Sequence, residues 1–155
     1  MSVGKVTRKA HAFVNVVASG EASNVIALGK TLNNLQLKLG GTTFTKAMIT
    51  MVRILANGKA IFQASGTQID SINKYRGMAA STSYLDVTFE DLTGLDIADR
   101  QVGSIDTTAG IVQLNTEVTI AGATAPSLVG TVYEQAPQRQ VDGSDYARGA
   151  QAYET

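Results

Sequence analysis

The dipeptide Asn57-Gly58 lies between two runs of mostly apolar residues, and it constrains the fold more than any other feature of the chain. The first run covers residues 49–56 and the second covers residues 59–64. A two-residue type I′ turn requires positive φ at both central positions, which Asn and Gly tolerate better than other residues. The pattern predicts a β-hairpin at the centre of the chain.

Several other segments alternate between apolar and polar residues with the period of a β-strand. The clearest are residues 35–39, 84–89 and 111–120, and residues 10–18 and 127–133 are further apolar-rich segments of strand length. Such alternation is typical of an antiparallel sheet with one buried face and one wet face. Because helices do not alternate with these strands, a parallel α/β fold is not expected, and we predict a sandwich of two sheets.

One short helix is predicted after the hairpin, over residues 68–76. Thr67 can cap its first turn, Asp70 suits the positive end of the helix dipole, and Gly77 can end the helix in the left-handed conformation. A helix of about three turns is not stable alone, so we expect it to pack on a sheet.

The length of 155 residues fits one domain, in which we distinguish three segments. Residues 1–9 form an N-terminal arm that carries Lys5, Arg8 and Lys9. Residues 10–134 form the β-domain, and residues 135–155 form a linker or a flexible tail because they are polar and poor in apolar residues.

Composition excludes several classes of function. Because 13 basic residues balance 13 acidic ones, no overall field attracts nucleic acid, and the barrier to self-association is low. The absence of cysteine excludes disulfides and thiolate metal sites. No apolar run is long enough to span a bilayer and no secretory signal is present, so we expect synthesis in the cytoplasm.

Candidate chemical groups are few. His11 is the single histidine and has no Ser, Asp or Glu beside it in the sequence, so we predict no catalytic residue, no cofactor and no enzyme activity. Glu90, Asp91, Asp96 and Asp99 lie in a long acidic loop over residues 90–106. Such a loop could hold calcium, but its spacing is not that of an EF-hand, and a solvated acidic loop is the alternative.

Tyr75 and Tyr84 are the aromatic residues that could line a sugar-binding groove. We expect them instead to cover the junction between the helix and the sheet.

The order of these segments resembles the N-terminal jelly roll of corticovirus-type viral coat proteins. These are the double jelly-roll major capsid proteins of tailless bacteriophages with an internal membrane and of related proviruses. The resemblance covers residues 10–134 and rests on residues 35–41, 49–59, 66–77, 103–111 and 114–124.

The resemblance implies an all-β, antiparallel jelly-roll β-sandwich of viral coat type, with one short helix after the central hairpin. It implies a structural protein of the virion, made in the host cytoplasm, that self-assembles through homotrimers and neighbouring capsomers into an icosahedral shell without an active site. In such capsids the arm lies toward the internal viral membrane, which would place Lys5, Arg8 and Lys9 near lipid headgroups. Metal ions at subunit contacts of this family favour calcium at Asp91, Asp96 and Asp99.

Two alternatives stay open. A double jelly roll needs a second barrel, so the chain is a fragment, a single-barrel protein, or one of two chains. The alternative function is a carbohydrate- or host-binding β-sandwich module of a phage fibre or secreted protein. The absence of tryptophan, with only 5 tyrosines and 4 phenylalanines, counts against that alternative.

Overall fold

The structure is a computed structural model that describes residues 5–78, 81–90, 95, 103–107, 110–135 and 150–151. Within these residues it contains ten β-strands, one α-helix and one 3-10 helix. The strands are β1 (Lys5–Lys9), β2 (Gly20–Ile26), β3 (Thr31–Thr43), β4 (Ile49–Ala56), β5 (Lys59–Ala64), β6 (Tyr84–Thr88), β7 (Ser104–Asp106), β8 (Leu114–Ile120), β9 (Thr124–Gln135) and β10 (Ala150–Gln151). The helix α1 spans Gly66–Tyr75, and the 3-10 helix spans Lys46–Met48.

The strands form two sheets. The six-stranded sheet has the order β1-β9-β3-β7-β10, with β6 also paired to β3, and the four-stranded sheet has the order β2-β8-β4-β5. Both β6 and β7 lie along the side of β3 that β9 does not occupy. The chain thus passes repeatedly between two mainly antiparallel sheets, which is the arrangement of a jelly roll. The predicted all-β jelly-roll sandwich is confirmed.

The core lies between the two sheets and contains apolar side chains from both. Along β8 buried and half-buried residues alternate without exception, as the sequence pattern of residues 114–120 predicts. Leu35 and Val132 come from the six-stranded sheet, whereas Ile54 and Val118 come from the four-stranded sheet, and all four are fully buried. One face of each sheet is therefore committed to a shared core.

The central hairpin forms at the predicted position. Asn57 has a φ of 53° and Gly58 a φ of 81°, and Ala56 pairs with Lys59 across the turn. The Asn57 side chain also accepts a 2.7 Å hydrogen bond from the backbone nitrogen of Val112. Asparagine therefore both permits the turn and anchors the loop that leads to β8.

The helix begins earlier than predicted, and Thr67 is not its cap. The Ser65 Oγ accepts a 3.2 Å hydrogen bond from the backbone nitrogen of Gln68, whose Oε1 accepts one of 2.9 Å from the Ser65 nitrogen. This reciprocal pair is a capping box. The first residue of the helix is Gly66. A larger residue would not fit there, because its Cβ would overlap the carbonyl oxygen of Lys46. Gly77 follows the helix with a φ of 77°, as predicted.

Residues 5–9, within the predicted N-terminal arm, form β1. This strand pairs with β9 from Lys5 opposite Gln135 to Lys9 opposite Thr131. Residues 10–18, predicted as a strand, are irregular apart from one bridge between Val14 and Ser23. These residues carry the chain from the six-stranded sheet to the four-stranded sheet.

Two further boundaries differ from prediction. Gly40-Gly41 does not end its strand, because β3 continues to Thr43 and the φ of 102° at Gly41 lets the backbone approach Ala125. In the segment predicted to be a linker or flexible tail, Ala150–Gln151 forms β10 and pairs in parallel with β7. In the described part of the chain, neither helix has the length and apolar character that crossing a bilayer requires.

Candidate functional site

Arg8, one of the basic residues singled out from the sequence, makes its charged contact inside the sandwich. Its Nε donates a 2.7 Å hydrogen bond to Oε1 of Glu134, and its Nη2 lies 2.5 Å from the same oxygen. The Glu134 side chain is only 4% exposed. The Arg8 Nη2 also donates to the carbonyl oxygen of Ala27 at 3.4 Å. Arg8 therefore ties β1 to β9 and to the end of β2.

The other two basic residues of the predicted membrane-facing arm lie at the ends of β1. Lys9 is exposed, whereas the side chain of Lys5 lies outside the described part. The structure thus separates Arg8, which is held by Glu134, from Lys9, which is open to solvent. The membrane contact itself stays a prediction.

The predicted calcium ligands Asp91, Asp96 and Asp99 lie outside the described residues. Glu90, at the base of the same loop, is buried, and its backbone nitrogen donates a 3.3 Å hydrogen bond to the carbonyl oxygen of Asn33. Where side chains are described, no three His, Asp or Glu residues group closely enough to hold a metal ion. Calcium binding in this loop stays a prediction.

A three-residue ion cluster joins the 3-10 helix to α1. The Lys46 Nζ lies 2.6 Å from one carboxylate oxygen of Asp70, and the Lys74 Nζ lies 2.9 Å from the other. The hydrogen bond from Lys46, followed by that from Lys74, holds the pKa of Asp70 below its usual range. The i,i+4 spacing of Asp70 and Lys74 could be read from the sequence, but the contribution of Lys46 could not.

This cluster lines a surface hollow of about 400 Å³ together with Thr45, Ala47, Ser81 and Thr82. Two ammonium groups around one carboxylate leave one net positive charge. Among its lining residues, no hydrogen-bonded pair of nucleophile and base is formed. The ion pairs of Asp70 connect the 3-10 helix to α1.

The outer face of the four-stranded sheet carries a second charged cluster. Arg53 on β4 lies 3.0 Å from Glu117 on β8 and 3.0 Å from Glu21 on β2. One arginine thus spans three adjacent strands with two carboxylates. Because all three side chains are partly exposed, the pairs contribute modestly to stability.

His11 lies beside a groove of about 420 Å³ that Ser23, Asn24 and Glu117 also line. Its ring makes no hydrogen bond within the part of the chain that the structure describes. The carboxylate of Glu117 is engaged by Arg53. The groove therefore contains no assembled acid–base pair.

Two side chains with large apolar parts are exposed on α1. Tyr75 is 93% exposed and Ile72 is 42% exposed, and the two are three residues apart on one helix face. The prediction that Tyr75 covers the helix–sheet junction is therefore wrong. Tyr84, on β6, lies beneath the Lys38 ammonium at 6.0 Å. The exposed pair of Ile72 and Tyr75, which we call the helix face, is the strongest candidate contact surface in the described residues.

Comparison with known families gives one match over most of the chain. Residues 7–135 match the family model described as the viral coat protein P2 N-terminal domain. No curated protein sequence is similar enough to this chain to count as a relative.

Solved structures that share the fold include the following three. The major capsid protein P2 of bacteriophage PM2 is 16% identical, with a TM-score of 0.75 over 86% of this chain. PBCV-1 VP54, fitted into a reconstruction of the virophage Sputnik, is 12% identical, with a TM-score of 0.60 over 87% of this chain. A quasi-atomic model of the PBCV-1 virus capsid is 14% identical, with a TM-score of 0.55 over 87% of this chain.

The matched region is only part of each of these proteins. The chain spans 51% of the PM2 protein and 42% of each of the other two.

Proposed function

Because the chain belongs to the viral coat protein P2 N-terminal domain family, we propose that it is a structural unit of a viral shell that functions by packing beside copies of itself. The family match over residues 7–135 is the observation that carries this proposal. The jelly-roll topology and the fully occupied core support it, because they describe a rigid block with contact surfaces on its outside. The virion is the location that this role requires.

We extend the proposal to trimers. A trimer needs a surface whose apolar side chains are exposed in the free chain and covered in the assembly. The helix face of Ile72 and Tyr75 has this character, since tyrosine is enriched in protein interfaces. Lys74 and Arg76 beside it supply a polar rim.

Sedimentation velocity of the purified chain over a range of concentrations tests self-association. We expect a species of trimer mass to grow with concentration, and electron microscopy should show three-lobed particles. A monomer at every concentration would contradict the trimer.

The same preparation tests the alternative role as a carbohydrate- or host-binding module. Specific binding in a glycan screen by a chain that stays monomeric would support that module and overturn the shell unit. No observation in the described residues favours such a module, because Tyr75 lies on a convex helix and not in a groove.

We propose that Lys5 and Lys9 are the N-terminal residues that contact the membrane. Arg8 is left out because it is paired with Glu134. Each lysine near an anionic surface is worth about 1 kcal/mol. Flotation with vesicles of anionic lipid should carry more protein than flotation with neutral vesicles, and Lys9→Ala should reduce the difference. Equal flotation with both lipids would contradict a membrane contact. Lys59→Ala is the matched control, because it removes an exposed lysine of the hairpin and leaves β1 unchanged.

A further inference from the structure

Among the described strands β6 pairs only with β3, so it lies at an edge of the six-stranded sheet. Its backbone groups point alternately toward β3 and away from it. The Leu39 nitrogen donates to the Ser83 carbonyl at 2.7 Å, and the Phe89 nitrogen donates to the Asn33 carbonyl at 2.9 Å. Ser83 and Phe89 therefore face β3. By alternation the backbone groups of residues 84, 86 and 88 point outward, where an unprotected edge offers a template for another strand.

Side chains from the segment between β5 and β6 occupy three of these outward groups. The Asn73 Nδ2 donates a 2.9 Å hydrogen bond to the carbonyl oxygen of Asp86. The Arg76 Nη1 donates one of 3.1 Å to the carbonyl oxygen of Thr88. The Tyr84 nitrogen donates one of 3.3 Å to the Ser81 Oγ. Three of the six outward backbone groups of β6, one on each of residues 84, 86 and 88, are thus occupied.

The position of α1 makes these contacts possible. Asn73 and Arg76 are three residues apart, so both project from the side of the helix that lies against β6. The capping box of Ser65 and Gln68 fixes where the helix begins, and the backbone nitrogen of Met78 donates to the Asn73 carbonyl at 3.0 Å beyond its end. The two donors are therefore held in place from both ends of the helix.

A second edge strand, β2, is bridged at one residue by a backbone contact. On the outer side of β2, the Val14 nitrogen donates to the Ser23 carbonyl at 2.9 Å, and the Ser23 nitrogen donates to the Val14 carbonyl at 3.2 Å. Covered edges are a known means of preventing strand-to-strand aggregation. On β2 this bridge occupies one position of a seven-residue strand.

We propose that α1 is an edge guard: Asn73 and Arg76 occupy the outward carbonyl groups of β6 and so prevent a second copy of the chain from pairing with β6 strand to strand. This inference goes beyond the role as a shell unit, because it concerns a surface that must stay closed whatever the chain assembles into.

The double variant Asn73→Ala, Arg76→Ala removes both hydrogen bonds without adding an apolar surface. Alanine also favours the helix, so α1 should remain formed. Lys74→Ala is the matched control, because it removes a positive charge from the same helix but contacts Asp70 and not β6. Far-ultraviolet circular dichroism and urea unfolding show whether each variant is folded.

We expect the double variant to form sedimentable species at a concentration at least about tenfold lower than the parent or Lys74→Ala does. Infrared spectra of these species should show the band of intermolecular β-sheet. Adding Thr88→Pro, which deletes an outward N–H of the edge strand, should restore the parent behaviour.

A folded double variant that associates like the parent would overturn the proposal, as would association that Thr88→Pro leaves unchanged. If the double variant does not fold, Asn73→Ala and Arg76→Ala are measured separately, since each opens one carbonyl group, and the same criterion applies.

Discussion

At the residue scale, Glu134 places a carboxylate within the sandwich, where Arg8 neutralises it. Removing one partner of such a pair leaves the other with an unmet charge, which costs more than the pair itself contributes. We expect Glu134→Ala to lower the free energy of unfolding by about 2 kcal/mol. Urea denaturation measures the change.

Lys9→Ala is the control for this experiment, because Lys9 is an exposed residue of the same strand. Its substitution should change the free energy of unfolding by less than about 0.5 kcal/mol. Equal effects of the two substitutions would mean that the Arg8–Glu134 contact does not hold β1 in place.

The contribution of Asp70 to the free energy of unfolding depends on pH, and the direction of that dependence follows from its lowered pKa. Because its folded-state pKa is lowered by Lys46 and Lys74, its contribution is complete above the ordinary aspartate value of about 3.9. The contribution is lost as the pH falls through the lowered folded-state value. Asp70→Asn should therefore be less stable than the parent by about 1 kcal/mol at neutral pH.

The difference between parent and Asp70→Asn should shrink as the pH falls below about 4. Thermal unfolding followed between neutral and acidic pH measures it, with Asp86→Asn as the matched aspartate control. A difference that stays constant or grows toward acid would contradict the assigned pKa direction.

At the scale of elements, the two possible caps of α1 can be told apart by mutation. The sequence predicts Thr67 as the cap, but the structure places Ser65 there with Gln68 as its reciprocal partner. We expect Ser65→Ala to cost about 1 kcal/mol of stability, measured by urea denaturation. Thr67→Ala should leave stability unchanged or raise it slightly, because Ser65 is the cap and alanine favours a helix more than threonine does. If Thr67→Ala destabilised the chain more than Ser65→Ala does, Thr67 and not Ser65 would be the cap of α1.

The sequence predicted the elements that are determined by their own residues. It did not predict the elements that form by pairing with distant parts of the chain. Asn57-Gly58 determines its hairpin through its own φ angles, and Gly77 ends α1 for the same reason. By contrast, β1 exists because it pairs with β9, more than a hundred residues away, and residues 5–9 show no apolar alternation.

The contacts of the candidate surface residues also depend on distant parts of the chain, so the sequence did not predict them. Arg8 was recognised as a basic residue, but its partner Glu134 is 126 positions away. The exposure of Tyr75 depends on which side of α1 faces the sheet, and a helix with polar residues on several sides does not fix that side.

At the scale of the whole molecule, we expect the helix face to be exposed in the free chain and covered in the proposed trimer. A tyrosine that is 93% exposed contributes almost nothing to the folded chain, yet tyrosine is enriched among the residues that dominate binding energy. We therefore expect Tyr75→Ser to leave the free energy of unfolding unchanged within about 0.5 kcal/mol. The same substitution should weaken trimer formation about tenfold in sedimentation equilibrium.

Val112→Ser is the matched control, because Val112 is 84% exposed but lies in the loop before β8. It should leave both stability and association unchanged. If the two substitutions weaken association equally, the effect follows from general surface hydrophobicity and not from the helix face. If Tyr75→Ser lowers stability and leaves association intact, Tyr75 belongs to the folded core of the chain, and the contact surface lies elsewhere.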